Sequence, residues 1–190
     1  MKWPFGRRKW NPTDFLNGAE WTCRSCNEVH HGMFDLACDS PDPWTGSEAY
    51  EPNSALDLTR DFLSADFCVL GGEHFMARCV LEIPVHGLEQ PFAFGCWGSL
   101  KRENFESYVD HFDAETVPST APWWSWLCNQ LKPFADGNPV VCVMEPQPGG
   151  QRPRLWADDA DHPLARAQED GLSPDELLAV YAAHGHLPLN

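Results

Sequence analysis

No stretch of this chain stays apolar long enough to cross a membrane, which takes about 20 such residues in a row. Basic residues are scarce: Lys plus Arg is 13 against 28 Asp plus Glu, a formal net charge of −15. A surface that acidic repels phosphate backbones and anionic lipid, so neither nucleic acid nor a membrane surface is the expected partner. It would favour a basic protein partner, although an acidic surface that simply keeps the protein soluble is the commoner case. Catalytic signatures are missing too. The sequence has no G-x-S-x-G elbow, no G-K-[ST] phosphate loop, no G-x-G-x-x-G after a strand and no H-E-x-x-H. The commonest hydrolase, nucleotide-binding and metalloprotease templates are thereby removed. Arg7, Arg8 and Lys9 carry the charge of a signal n-region, but Asn11, Pro12, Asp14 and Asn17 stand where an apolar h-region would follow. The expected compartment is the cytoplasm.

What is present is the composition of a folded protein. The 190 residues are 43% hydrophobic, with nine Trp and eleven Phe, enough for one ordinary core. Residues 1–18 read as a basic, loosely ordered tail and 19–190 as a single domain. Of the eight cysteines, Cys79, Cys96 and Cys142 sit inside apolar strand patterns, where a free thiol behaves as a small hydrophobe. A chain of this size and aromatic content needs no disulfide staples, so reduced thiols are expected.

The organising stretch is 73–112. Phe75, Ala77, Cys79, Leu81 and Ile83 alternate with a mixed set that includes Met76 and Arg78, the period of a strand. A second alternation follows at 92–100, where Gly95 and Gly98 flank Trp97 and leave room for a large ring or a close backbone. Phe105, Tyr108, Val109 and Phe112 then fall on one helical face. Ahead of it, Gly71-Gly72 suits a tight hairpin turn after a short strand at 67–70. Trp123, Trp124, Leu127, Cys128 and Leu131 match helical spacing after Pro122, and a short helix is also expected over 56–63. Residues 139–144 read as an apolar strand and 155–157 as an edge strand. A short helix is expected over 163–169. The last helix is the best marked: Ser173-Pro174-Asp175-Glu176 is a capping box with proline at the first position, and Gly185 ends it. The fold class expected is α+β, an antiparallel sheet covered by helices with an N-terminal Cys/His knuckle.

The sharpest chemical motif is Cys23-Arg24-Ser25-Cys26 with His30 four residues on. A tight turn aims two thiolates at one point, an imidazole supplies a third ligand, and zinc takes four such S/N donors. A lone C-x2-C excludes a paired zinc ribbon, and His31, Cys38, Cys68 and His162 are all open as the fourth donor. Helix-borne redox chemistry is disfavoured, because Asn27 and Glu28 through Gly32 make a poor helix start. Arg78 and Trp97, on the mixed strand faces, and His162, beside the Asp158, Asp159 and Asp161 run, are the candidate recognition surface. His184 and His186 flank the end of the last helix, where cationic side chains complement its dipole.

Several segments also resemble the bacterial domain-of-unknown-function family DUF2199. These are the C-x2-C with His30, SADFC at 64–68, RCVLEIPV at 78–85 and GCWGSL at 95–100. They continue with the Gly-Gly and Arg-Pro loop at 147–153 and Asp161-His162-Pro163-Leu164. The resemblance runs over residues 21 to 181, with Asn27 where glycine is expected after the second cysteine. It implies that the Cys/His knuckle and the His-Pro segment are shared features, and it implies no activity. Three functional readings follow. The first is a binding protein with a structural zinc knuckle. The others are a hydrolase using zinc-bound water, with His162 or a neighbouring Asp as acid/base, and an acidic immunity-type inhibitor of a basic toxin.

Overall fold

The computed structural model describes residues 11–25, 27–47 and 49–186. Along the chain run α1 (Pro12–Leu16), β1 (Glu20–Thr22), β2 (Val29–His31), β3 (Leu36–Ala37), β4 (Phe62–Leu63), β5 (Phe67–Leu70), β6 (His74–Ile83) and β7 (Phe92–Leu100). Then come α2 (Arg102–Asp113), β8 (Trp123–Trp126), β9 (Val141–Glu145), β10 (Arg154–Ala157), α3 (Pro163–Asp170) and α4 (Pro174–Ala183). The protein is α+β. Residues 11–16, expected in the tail, include a one-turn helix capped by Asn11, with Leu16 buried in the main core. Residues 1–10 lie outside the described residues.

The alternation at 74–83 and 92–100 becomes the antiparallel β6–β7 ladder, paired from Phe75 opposite Leu100 to Ile83 opposite Phe92. Every second side chain of β6 from Phe75 to Ile83 is at most 3% exposed. Helix α2 closes over this face, with Phe105 against Phe75 and Phe67, and Tyr108 and Phe112 against Phe67. The other edge of β6 is shared. Its first half pairs with β5 in the expected Gly71-Gly72 hairpin, while Val80 meets Arg154 of β10 in parallel. β3 also joins β7 in parallel. The sheet is therefore mixed rather than antiparallel, because the chain returns to both strands by long connections instead of hairpins.

One buried side chain repairs the junction at β10. A single register pair joins β6 to β10, so nearby backbone groups need other partners. Gln168 of α3 donates to the carbonyls of Glu82 and Leu155, both at 3.1 Å, and accepts from Ala157 N at 2.8 Å.

The segment expected to be helical after Pro122 is instead strand β8. It pairs with β9, and its continuation returns to β7, where Cys128 N donates to Trp97 O at 2.8 Å. The sheet curls until its ends meet. Gly98 makes that closure fit, since a Cβ there would lie 2.7 Å from Met144 Cε and 2.8 Å from Ser125 Oγ. No helix forms over 56–63 either; a 3-10 turn at Asn53–Ala55 precedes the segment and strand β4 ends it. No helix among the described residues is long and apolar enough to cross a membrane.

Gln168→Met keeps the side chain's length and removes its amide, leaving three backbone groups without their partner. Urea unfolding is expected to show a loss of at least ~2 kcal/mol; unchanged stability would refute the role given to this amide.

Candidate metal centre

β1 and β2 form a separate two-stranded sheet in which Trp21 stands opposite His30. Trp21 and Cys23 are two residues apart and so point to the same face, bringing the Cys23 thiol and the His30 ring to one side of the hairpin. The turn between the strands is closed by Cys23 N donating to Glu28 O at 2.8 Å and Asn27 N donating to Cys23 O at 3.0 Å. Asn27 has φ +57°, the left-handed region, where asparagine is among the better-tolerated residues other than glycine. The replacement of the expected glycine therefore preserves the turn. Inside it, Ser25 N donates to Cys23 Sγ at 3.4 Å.

The other half of the site comes from the far end of the chain. Helix α4 begins with the expected capping box at Ser173 and Glu176. It ends in a Schellman motif: Gly185 has φ +84°, Gly185 N donates to Ala182 O at 3.1 Å, and His186 N donates to Tyr181 O at 2.8 Å. That turn sets His186 beside the hairpin, with Nδ1 3.6 Å from Cys23 Sγ. Ser25 Oγ donates to Gly185 O across the same junction.

Aromatic stacking fixes the ring that completes the group. His30 stacks on Phe34 with centroids 4.1 Å apart, and Phe34 stacks on Tyr181 of α4 at 4.4 Å. The Tyr181 hydroxyl donates to Phe34 O at 2.6 Å and accepts from Phe34 N at 2.9 Å. Cys23 is fully buried, His30 and His186 are half-buried, and their ligand atoms all lie within 4.8 Å of one another. Among the described residues this is the only group of three or more such donors at that spacing.

One separation in the group is that of a tetrahedral zinc edge: Zn–S of about 2.3 Å and Zn–N of about 2.05 Å put S and N ~3.6 Å apart, the Cys23–His186 separation. Cys26, the second cysteine of the motif, lies outside the described residues. The residues considered as distant ligands go elsewhere. His31 is exposed beside Glu20, 3.9 Å away. Cys38 and Cys68 are not part of the Cys23 group, and burial pushes their thiols up to about 11 and about 12.

His162 is the N-cap of α3, where its Nδ1 accepts from Leu164 N at 3.1 Å. Neither it nor the Asp158, Asp159 and Asp161 run belongs to the Cys23 group. His184, expected to complement the helix dipole, instead meets Lys132 O at 2.9 Å, and burial lowers its pKa, so it favours the neutral ring. His186 is the member of this group that the sequence reading missed. Its only sequence signal was its place just after a helix-ending glycine.

Arg78, Trp97 and His162 do not form a recognition surface: they are 7%, 0% and 7% exposed. The irregular segment after β3 lies over the mixed faces of β6 and β7. Trp97 Nε1 donates to Cys38 O at 3.1 Å, and Arg78 donates to the Tyr50 hydroxyl at 3.2 Å while its guanidinium sits 5.8 Å from the Trp97 ring centre. These side chains hold that segment down.

Asn27→Gly is expected to leave stability to urea within ~0.5 kcal/mol, whereas Asn27→Val forces a branched side chain into positive φ and costs about 1–2 kcal/mol. Equal effects of the two would overturn the turn geometry.

A family model described as "Uncharacterized protein conserved in bacteria (DUF2199)" matches residues 22–172. The match includes Cys23 and His30 and ends before His186. No curated protein matches the chain, and no solved structure does. The chain belongs to the bacterial DUF2199 family.

Proposed function

We propose that this protein is a non-catalytic binding protein whose Cys23, Cys26, His30 and His186 hold a structural zinc ion. The ion clips the first hairpin to the end of the last helix. The observation that carries this reading is the meeting of Cys23 and His186, 163 residues apart in sequence, at the separation of a tetrahedral edge. Cys26 supplies the fourth donor on the strength of the C-x2-C spacing. Four protein ligands close the coordination sphere, the arrangement of a structural rather than a catalytic zinc.

The energetics favour such a clip. The β1–β2 sheet has only three register pairs, and an isolated two-stranded hairpin is marginal in water. A metal bound only by the folded arrangement adds its binding free energy to folding. Both imidazoles must be neutral to bind, so acid releases the metal.

Elemental analysis of untagged protein purified under reducing, chelator-free conditions is expected to give about one zinc per chain. Cys23→Ser and His186→Ala should each lose it, while His31→Ala and Cys38→Ser should retain it. Protein free of metal, or zinc that survives His186→Ala, would overturn the assignment.

A further inference from the structure

We propose that the outer face of β8, β9 and β10 docks an extended, arginine- and lysine-rich segment of a protein partner, with one apolar side chain seated beside Trp124 and Trp126. This deepens the reading of the chain as a binding protein by naming the surface and the chemistry it fits.

The strand register sorts the side chains of this face. Trp123, Met144 and Leu155 lie in one row across the three strands and are at most 5% exposed. The adjacent row, Trp124, Val143 and Trp156, points the other way, and Trp124 and Trp156 are 49% and 38% exposed. Trp126, opposite Val141, is 37% exposed and packs edge-on against Trp124 with centroids 4.8 Å apart. Single exposed apolar residues are ordinary. Three exposed indoles on the two strands that flank β9, all on one face, are not, and indoles of this kind mark interaction sites.

The two ends of the face differ in chemistry. Beside Trp124 and Trp126 runs a groove of about 410 Å³ whose walls include Leu70, Phe75, Met76 and Leu100. It offers an apolar side chain a seat. At the other end, Trp156 Nε1 donates to Glu145 at 3.4 Å, and a depression of about 280 Å³ is lined by Trp156, Asp158, Asp159 and Glu169. None of these four carboxylates is in an ion pair among the described residues.

An indole flanked by unpaired carboxylates suits a guanidinium, which stacks on aromatic faces and takes carboxylates through its fork of N–H donors. The net charge of −15 draws a basic partner toward this face. It opposes both a second copy of the chain and a nucleic acid, so complementarity of charge selects a basic protein segment.

The test titrates fluorescein-labelled peptides of alternating Arg and Leu, Glu and Leu, or Arg and Gly into protein of measured zinc content, followed by anisotropy. The Arg–Leu peptide is expected to bind most tightly and the Glu–Leu peptide not at all. Affinity for the former should fall at least about tenfold between roughly 50 and 300 mM salt. Trp156→Ala, and separately Asp158→Asn with Asp159→Asn, should each weaken it about tenfold or more, while Glu20→Gln on the first hairpin changes it less than about twofold. The proposal is overturned if Trp156→Ala and the Asp158/Asp159 variant bind like the unaltered protein, if Glu20→Gln weakens binding equally, or if Arg–Gly binds as well as Arg–Leu. It is overturned as well if the protein self-associates through this face, seen as dimers that Trp124→Ala dissolves. Peptide binding by a zinc-free protein would remove the metal reading and leave this one standing, and a zinc-loaded protein that ignores all three peptides would do the reverse.

Discussion

The nine-pair ladder between β6 and β7 supports nearly everything else in the protein. Its inner face is the floor of the main core, under α2. Its outer face carries Met76 and Trp97, which form a second small core with Leu63 and Cys68. Its edges receive β5 and β10 on one side and β3 on the other. The first hairpin is the exception. Among the described residues β1 and β2 pair with no other strand, and their attachment to α4 includes the Phe34–Tyr181 stack, the Tyr181 hydrogen bonds and the meeting of Cys23 with His186. That dependence is what the proposed metal clip would relieve. A small element without a core of its own is fixed by side-chain chemistry where burial is insufficient.

Much of the frame was legible in the residues because short-range rules govern it. Alternation gave β6 and β7, and a capping box with a terminal glycine gave α4. Pro163 marked the start of α3. β8 was misread for a physical reason. Trp123, Trp124 and Leu127 satisfy a helical period, while alternation over four residues shows poorly when tryptophan stands on both faces. Trp123 and Ser125 point inward and Trp124 and Trp126 outward, so the polar residue is buried and two aromatic ones are not. That inversion hid the strand, and it is also what makes the face unusual.

The site was half legible. C-x2-C with His30 is local in sequence, and the structure brings Cys23 and His30 together. His186 lies 163 residues from Cys23, and only the packing of α4 against the N-terminal segment sets it there. Arg78 and Trp97 looked like surface residues because periodicity identifies faces of a strand without saying what covers them. The covering segment is an irregular one whose path no pattern announced. The Cys23, His30 and His186 group and the tryptophan face share no residue, so the proposed clip and the proposed docking face are separately adjustable.

The most direct test of the clip is hydrogen exchange on the metal-loaded and chelated protein. Chelation should raise exchange together at the amides of the first hairpin and of Gly185 and His186, leaving the β6–β7 ladder as protected as before. Unchanged exchange at both ends, or release of the hairpin while the end of α4 stays protected, would contradict a metal that joins them.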